Sequence, residues 1–166
     1  MKHFANSAFF LILTAFSGCV SVPSQSVDIA YSEQEFGVFK GNGDSTVFGQ
    51  AFLRQQGGGV VVCAGEQVIL FPRSASFEAA VNLARQRIRP VPTSSDPRFK
   101  DVARMAVCDA QGNFRFNKVP RAKWYVYSKV NWRVGDYGYQ GGDLIGEVDT
   151  SQGGEHQILL TDSNRI

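Results

Sequence analysis

"CDAQGNFRFNKVPRAKWYVYSKVNW", Cys108–Trp132, is the stretch on which the reading of the chain turns. Asp109-Ala110-Gln111-Gly112 has Asp at the first place and Gly at the fourth, the preference of a type I turn. Phe114 and Phe116 then alternate with Arg115 and Asn117, which predicts a short strand with one apolar face. Val119-Pro120 makes a corner. Beyond it, Trp124, Val126, Ser128, Val130 and Trp132 form one parity of a long strand, and Lys123, Tyr125, Tyr127, Lys129 and Asn131 form the other. That alternation predicts a central strand with one face in a core and the other at least partly wet.

The flanks repeat the pattern. Upstream, "STVFGQAFLR" (Ser45–Arg54) is rich in β-branched and aromatic residues, "QQGGG" breaks it, and "VVVCAG" and "EQVILFP" follow to Pro72. Downstream, Leu144–Asp149 and His156–Thr161 read as strands. Short strands punctuated by glycine and proline predict an all-β sandwich over 45–166. One helix interrupts it. Phe77, Ala80, Val81, Ala84 and Ile88 fall three or four apart, Ser76 can cap the start, and Arg89-Pro90 stops the run, so a helix is expected over about 76–89. Val91–Lys100 reads as loop, and 19–44, rich in Ser, Gln, Val and Gly, as a tether with room for a single strand near Phe36–Phe39.

The opening stretch resembles the carboxypeptidase regulatory-like, transthyretin-like domain. Gly112, Asn113, Phe114 and Phe116 match that family's turn-strand, and Val119, Pro120, Tyr125 and Val126 match its Pro corner and following strand. Ala64, Gly65, Val68 and Leu70 match its "AGxxVxL" strand. Lys123 stands where the family commonly has Gly, and the segment carrying the helix is an insertion. The resemblance spans about Val47 to Trp132. It implies a transthyretin-like or immunoglobulin-like β-sandwich and says little of function, because function resides in sites and not in folds. Relatives that hydrolyse hydroxyisourate use several histidines and a C-terminal Tyr-Arg-Gly-Ser. This chain ends Asp162-Ser163-Asn164-Arg165-Ile166 and has one histidine, His156, beyond residue 18.

The N-terminus carries an address. Lys2, the apolar run Ala8–Phe16 and Ser17-Gly18-Cys19 have the layout of a secretory signal. The run is far below the ~20 residues that cross a bilayer. "FSGC" resembles the bacterial lipoprotein lipobox, with Phe16 in place of the usual Leu. The resemblance implies cleavage after residue 18, lipid on Cys19, and, with Val20 following, an outer-membrane destination. Several acyl chains anchor stably where one does not. The remaining 148 residues are enough for one domain with its own core.

Export allows Cys63 and Cys108 to pair, which would close a loop of 45 positions; the other reading is two buried thiols. No G-x-S-x-G elbow, H-E-x-x-H motif or phosphate loop is present. Asp136, Asp143, Glu147 and Asp149 match no cation-loop spacing. Neither a metal nor a cofactor is expected. Charge is segregated: Arg73–Arg133 holds 13 basic residues against four acids, while the segments before and after are net acidic. That basic middle could meet anionic envelope polymers, or pair with the chain's own acids. The glycine-flanked Tyr137 and Tyr139, and Arg85, Arg87 and Arg89 after the helix, are the candidate contact residues.

The sequence therefore reads as a lipid-anchored envelope protein, with its domain in the periplasm or at the cell surface. Its function is expected to be non-catalytic binding or scaffolding of another envelope protein. The alternatives are a carbohydrate or lipopolysaccharide binder using the basic face, and an unrecognised hydrolase. Nucleic acid is excluded by compartment.

Overall fold

The computed structural model describes residues 22–166. In chain order its elements are β1 (Ser24–Val27), the single-turn helix α1 (Glu33–Phe36), β2 (Ser45–Arg54), β3 (Val60–Val62), β4 (Gln67–Pro72), helix α2 (Ala75–Arg85), β5 (Arg89–Pro92), β6 (Arg104–Val107), β7 (Asn113–Val119), β8 (Lys123–Arg133), β9 (Tyr139–Asp149) and β10 (Gly154–Leu160). The fold is an all-β sandwich with one inserted helix. In the first sheet β2 is central: β10 runs parallel along one side, and β7 and then β3 run antiparallel along the other. The second sheet is antiparallel, in the order β6-β4-β8-β9.

The alternation in β8 predicts its burial. Trp124, Val126, Ser128 and Val130 are fully buried between the sheets, while Lys123 and Lys129 are exposed. Tyr125, of the outward parity, is nevertheless fully buried, because α2 lies over this face and packs Val81 against Tyr125 and Ile145. At the corner before β8, the Thr150 hydroxyl donates to Pro120 O (2.7 Å) and accepts from Ala122 N (3.0 Å) and Trp124 Nε1 (3.2 Å). The Thr150 hydroxyl, the Pro120 carbonyl and the Trp124 indole N–H are thereby paired, as burial demands.

The turn before β7 forms as its residues predict. Gly112 N donates to Asp109 O at 2.9 Å, and Gly112 sits at φ +79. A Cβ at Gly112 would lie 2.6 Å from Val62 Cβ, so conformation and space both select glycine. Asp109 Oδ1 accepts from the backbone of Gln111 (2.9 Å) and Asn113 (2.8 Å), and Oδ2 from Asn113 Nδ2.

Three expectations are corrected. First, the stretch read as a tether is folded from Ser24 on. Residues 24–27 pair in parallel with β5, and Phe36 and Phe39 are buried in a helical turn and a 3₁₀ turn, not a strand. Aromatic side chains spaced too irregularly to show a period dock it: Phe36 lies 5.2 Å from Phe99 and 5.8 Å from Phe77, and Phe39 sits edge-on to Trp124 at 5.0 Å. Second, the helix begins one turn-residue earlier than expected and ends at Arg85. Ser74, not Ser76, caps it by accepting from Phe77 N. Its C-terminus closes with Ile88 N donating to Leu83 O and Arg87 N to Ala84 O, around Arg87 at φ +60. This is a Schellman cap. Third, strand β5 (Arg89–Pro92) begins where the helix was expected to end and runs into the expected loop of 91–100, whose later part enters a 3₁₀ turn at Pro97–Asp101; the preference of residues near proline for extended backbone already favours a strand at Arg89-Pro90.

Two outcomes follow. Phe36→Ala is expected to lower stability by about 3–5 kcal/mol; a denaturant midpoint unchanged from wild type would return residues 24–39 to a tether. The Asn113 side-chain amide, helped by backbone amides, holds the Asp109 carboxyl below its ordinary value. A depressed folded value stabilises above the ordinary Asp range and is lost as pH falls through it. Asp109→Ala is therefore expected to lower Tm at neutral pH, with the difference from wild type shrinking below about pH 3.9. A difference that stays constant with pH would show that the charge is idle.

Candidate functional site

A cleft of about 460 Å³ opens where the end of β2, the β8–β9 hairpin and the C-terminal residues meet. Arg54 and Gln56 come from the end of β2 and the turn after it, Asn131 and Trp132 from β8, Tyr139 and Gln140 from β9, and Arg165 from beyond β10. The hairpin register sets Trp132 opposite Gln140 and Arg133 opposite Tyr139. Gly141, opposite Asn131 at φ +123, has no room for a side chain: a Cβ would lie 2.0 Å from Val130 O. A Cβ on Gly142 would meet Arg165 Nε at 2.8 Å. These glycines let Arg165 lie against β9, where its guanidinium donates to Gly141 O. Arg54 and Arg165 have no ion-pair partner among the described residues, and no carboxylate lines the cleft. The chemistry offered is two cations, planar amides and two aromatic side chains.

The residues singled out from sequence are dispersed. Cys19 lies outside the described residues. Cys63 and Cys108 form a disulfide with Cα atoms 5.8 Å apart, both buried, joining the end of β3 in one sheet to the end of β6 in the other. Tyr137 (94% exposed) and Tyr139 (79%) stand at the hairpin tip, and only Tyr139 lines the cleft. Arg85 donates to Glu147 (2.9 Å), which also pairs with Arg73 (3.2 Å), tying α2 to β9 and to the end of β4. Arg87 and Arg89 are exposed. His156 is half-buried on β10 with Nε2 3.0 Å from Gly153 O.

The positive middle of the chain does not stay together as one face. Arg73, Arg85, Arg115, Arg121 and Lys123 each meet an acid from the flanking segments: Glu147, Glu155, Asp44 or Asp149. Such exposed pairs contribute roughly 0–1 kcal/mol each, but they remove the contiguous cationic strip that the linear sequence suggests. The acids considered for a cation site are likewise dispersed along β9 and its ends. Asp143 accepts from Tyr127 OH (2.8 Å), Glu147 takes the two arginines, and Asp149 accepts from Ser151. Arg54, Gln56, Gln140 and Arg165 were not singled out by sequence, and Trp132 read only as a strand residue. The one local signal was the Gly141-Gly142 pair within strand sequence, which marks a close approach.

No family model and no curated relative matches the sequence. Among solved structures, a Pseudomonas aeruginosa protein described as a "putative carbohydrate binding protein" is 25% identical, with TM-score 0.66 over 79% of this chain and 97% of that one. Chlorocatechol 1,2-dioxygenase from Pseudomonas putida is 9% identical, with TM-score 0.28 over 89% of this chain and 69% of that one, a likeness too slight to carry any argument. The first likeness agrees with the sandwich and leaves the cleft's ligand to its chemistry.

The disulfide makes a prediction of its own. Replacing both Cys63 and Cys108 by Ala is expected to lower stability by about 2–4 kcal/mol. A variant as stable as wild type in urea would mean that the sheets need no covalent link.

Proposed function

We propose that this chain is a non-catalytic, carbohydrate-binding module of the bacterial envelope. In this reading it is a transthyretin-like domain of the carboxypeptidase regulatory kind, held at the outer membrane by lipid on Cys19. The cleft between Arg54, Trp132, Tyr139 and Arg165 takes an acidic saccharide. The observation that carries the proposal is this set of side chains converging on a fold similar to that of the Pseudomonas aeruginosa protein described as a "putative carbohydrate binding protein". Aromatic faces carry negative quadrupole density and attract the C–H edges of a pyranose ring. Asn131, Gln56 and Gln140 amides can donate to and accept from hydroxyls at once. The two arginines supply planar, bidentate recognition of a carboxylate or phosphate on the sugar.

A second reading, contact with another envelope protein, is favoured by the apolar residues Met105 (71% exposed), Val107 (62%) and Leu159 (51%) around a separate open hollow. Exposed apolar residues grouped in this way often mark partner contacts.

The test is an oligosaccharide-array screen of the full chain, followed by calorimetric titration. Trp132→Ala is expected to weaken the bound saccharide at least about tenfold, and Arg54→Ala to reduce the salt dependence of binding, with Arg165 supplying the remainder. Binding unchanged by both substitutions would move recognition out of the cleft. An array without hits, together with one protein dominating an in-membrane crosslinking experiment, would favour the second reading.

A further inference from the structure

We propose a second binding site, for a free single-chain anionic amphiphile of the fatty-acid type, in the groove between α2 and the outer face of the second sheet. Two adjoining cavities form it. The inner one, about 450 Å³, is walled by Phe71, Phe77, Val81, Tyr127 and Ile145 and is almost wholly apolar. The outer one, about 510 Å³, shares Ala84, Pro90, Asp143 and Ile166 with it and opens past Arg87 and Arg89. These volumes fall in the ~300–1,000 Å³ range of small-molecule sites. An apolar trough with a cationic mouth is complementary to an acyl chain with an anionic head.

The mouth bears two further marks. Neither Arg87 nor Arg89 has an ion-pair partner among the described residues, although Arg73 and Arg85 nearby in sequence share Glu147. Arg87 also occupies the left-handed position of the Schellman cap at φ +60, where glycine is the ordinary residue. An arginine there costs backbone strain that a glycine avoids, and strained residues cluster at binding sites. The acid at the boundary is engaged, since Asp143 accepts the Tyr127 phenol at 2.8 Å. Tyr127, half-buried in the inner wall, has its phenol pushed up chiefly by burial, so it stays a neutral donor. This site shares no residue with the saccharide cleft and does not rest on the carbohydrate reading.

The test titrates the full chain with dodecanoate and with dodecanol, below their aggregation limits, by calorimetry. Dodecanoate is expected to bind saturably and about tenfold more tightly than dodecanol. Arg87→Gly is expected to raise Tm by a few degrees while weakening dodecanoate about tenfold and leaving dodecanol unchanged. A residue kept only for folding would not separate the two readouts. Ala84→Trp, which fills the groove, abolishes both ligands, and Trp132→Ala alters neither. No saturable dodecanoate binding, or equal binding of the two probes, overturns the proposal. So does binding by the Cys19→Ser chain but not by the chain isolated from membranes, since the groove would then belong to the protein's own acyl group.

Discussion

The burial of β8 is the constraint on which the other elements depend. An eleven-residue strand with Trp124 and Val126 on one face and Tyr125 and Tyr127 on the other cannot leave either face to water. The first sheet, with Val47, Phe114, Phe116 and Leu160, covers the inner face. The outer face is covered by α2, brought there by the segment between β4 and β6. Burying aromatic side chains on both sides is the largest favourable term such a strand can contribute. It requires that the Trp124 indole N–H find a partner, and Thr150 and the carbonyl of Pro120 provide it.

Covering the outer face creates a second requirement, that the cover be held in place. α2 is eleven residues long and would not be stable alone. Phe77 on its inner side meets Phe71 (5.4 Å), Phe99 (5.4 Å) and Phe36 (5.8 Å), so strand, helix, 3₁₀ turn and N-terminal segment share one aromatic cluster. The Arg73–Glu147–Arg85 bracket adds direction more than energy. The cover is incomplete on the side toward β5, and the apolar groove lies there. The cleft between Arg54 and Arg165 is built differently, from polar and aromatic side chains where a hairpin continues past the buried part of β8 and meets the end of β2 and the C-terminal residues. One site follows from an insertion, the other from an overhang.

The strands β2, β3, β4, β7, β8, β9 and β10 were legible in the sequence because β structure writes its burial into alternate residues, whereas the four-residue strands β1, β5 and β6 are too short to show a period. The turn at Asp109–Gly112, the parity of β8 and the all-β class each follow from local stereochemistry. The Cys63–Cys108 pairing was also within reach, since the chain beyond residue 18 holds only two cysteines besides Cys19. The N-terminal segment was misread as a tether because Phe36 and Phe39 fit neither a helical nor a strand period. Their burial depends on Phe99 and Trp124, more than sixty residues away. The early end of α2 was missed because its cap places arginine where the rules expect glycine.

Of the cleft, only Tyr139 was named from sequence. Arg54, Trp132, Gln140 and Arg165 become one surface only when β2, the β8–β9 hairpin and the chain after β10 are brought together. The sequence by itself determined the sheet-forming pattern and the inward parity of β8, and left one possible pair of cysteines for a bridge, because each follows from periodicity or from the chemistry of few residues. Only the tertiary structure decided which charges neutralise one another and which stay free, and where aromatic and polar groups converge. Those outcomes depend on distances between residues far apart in the chain, and no local pattern encodes them.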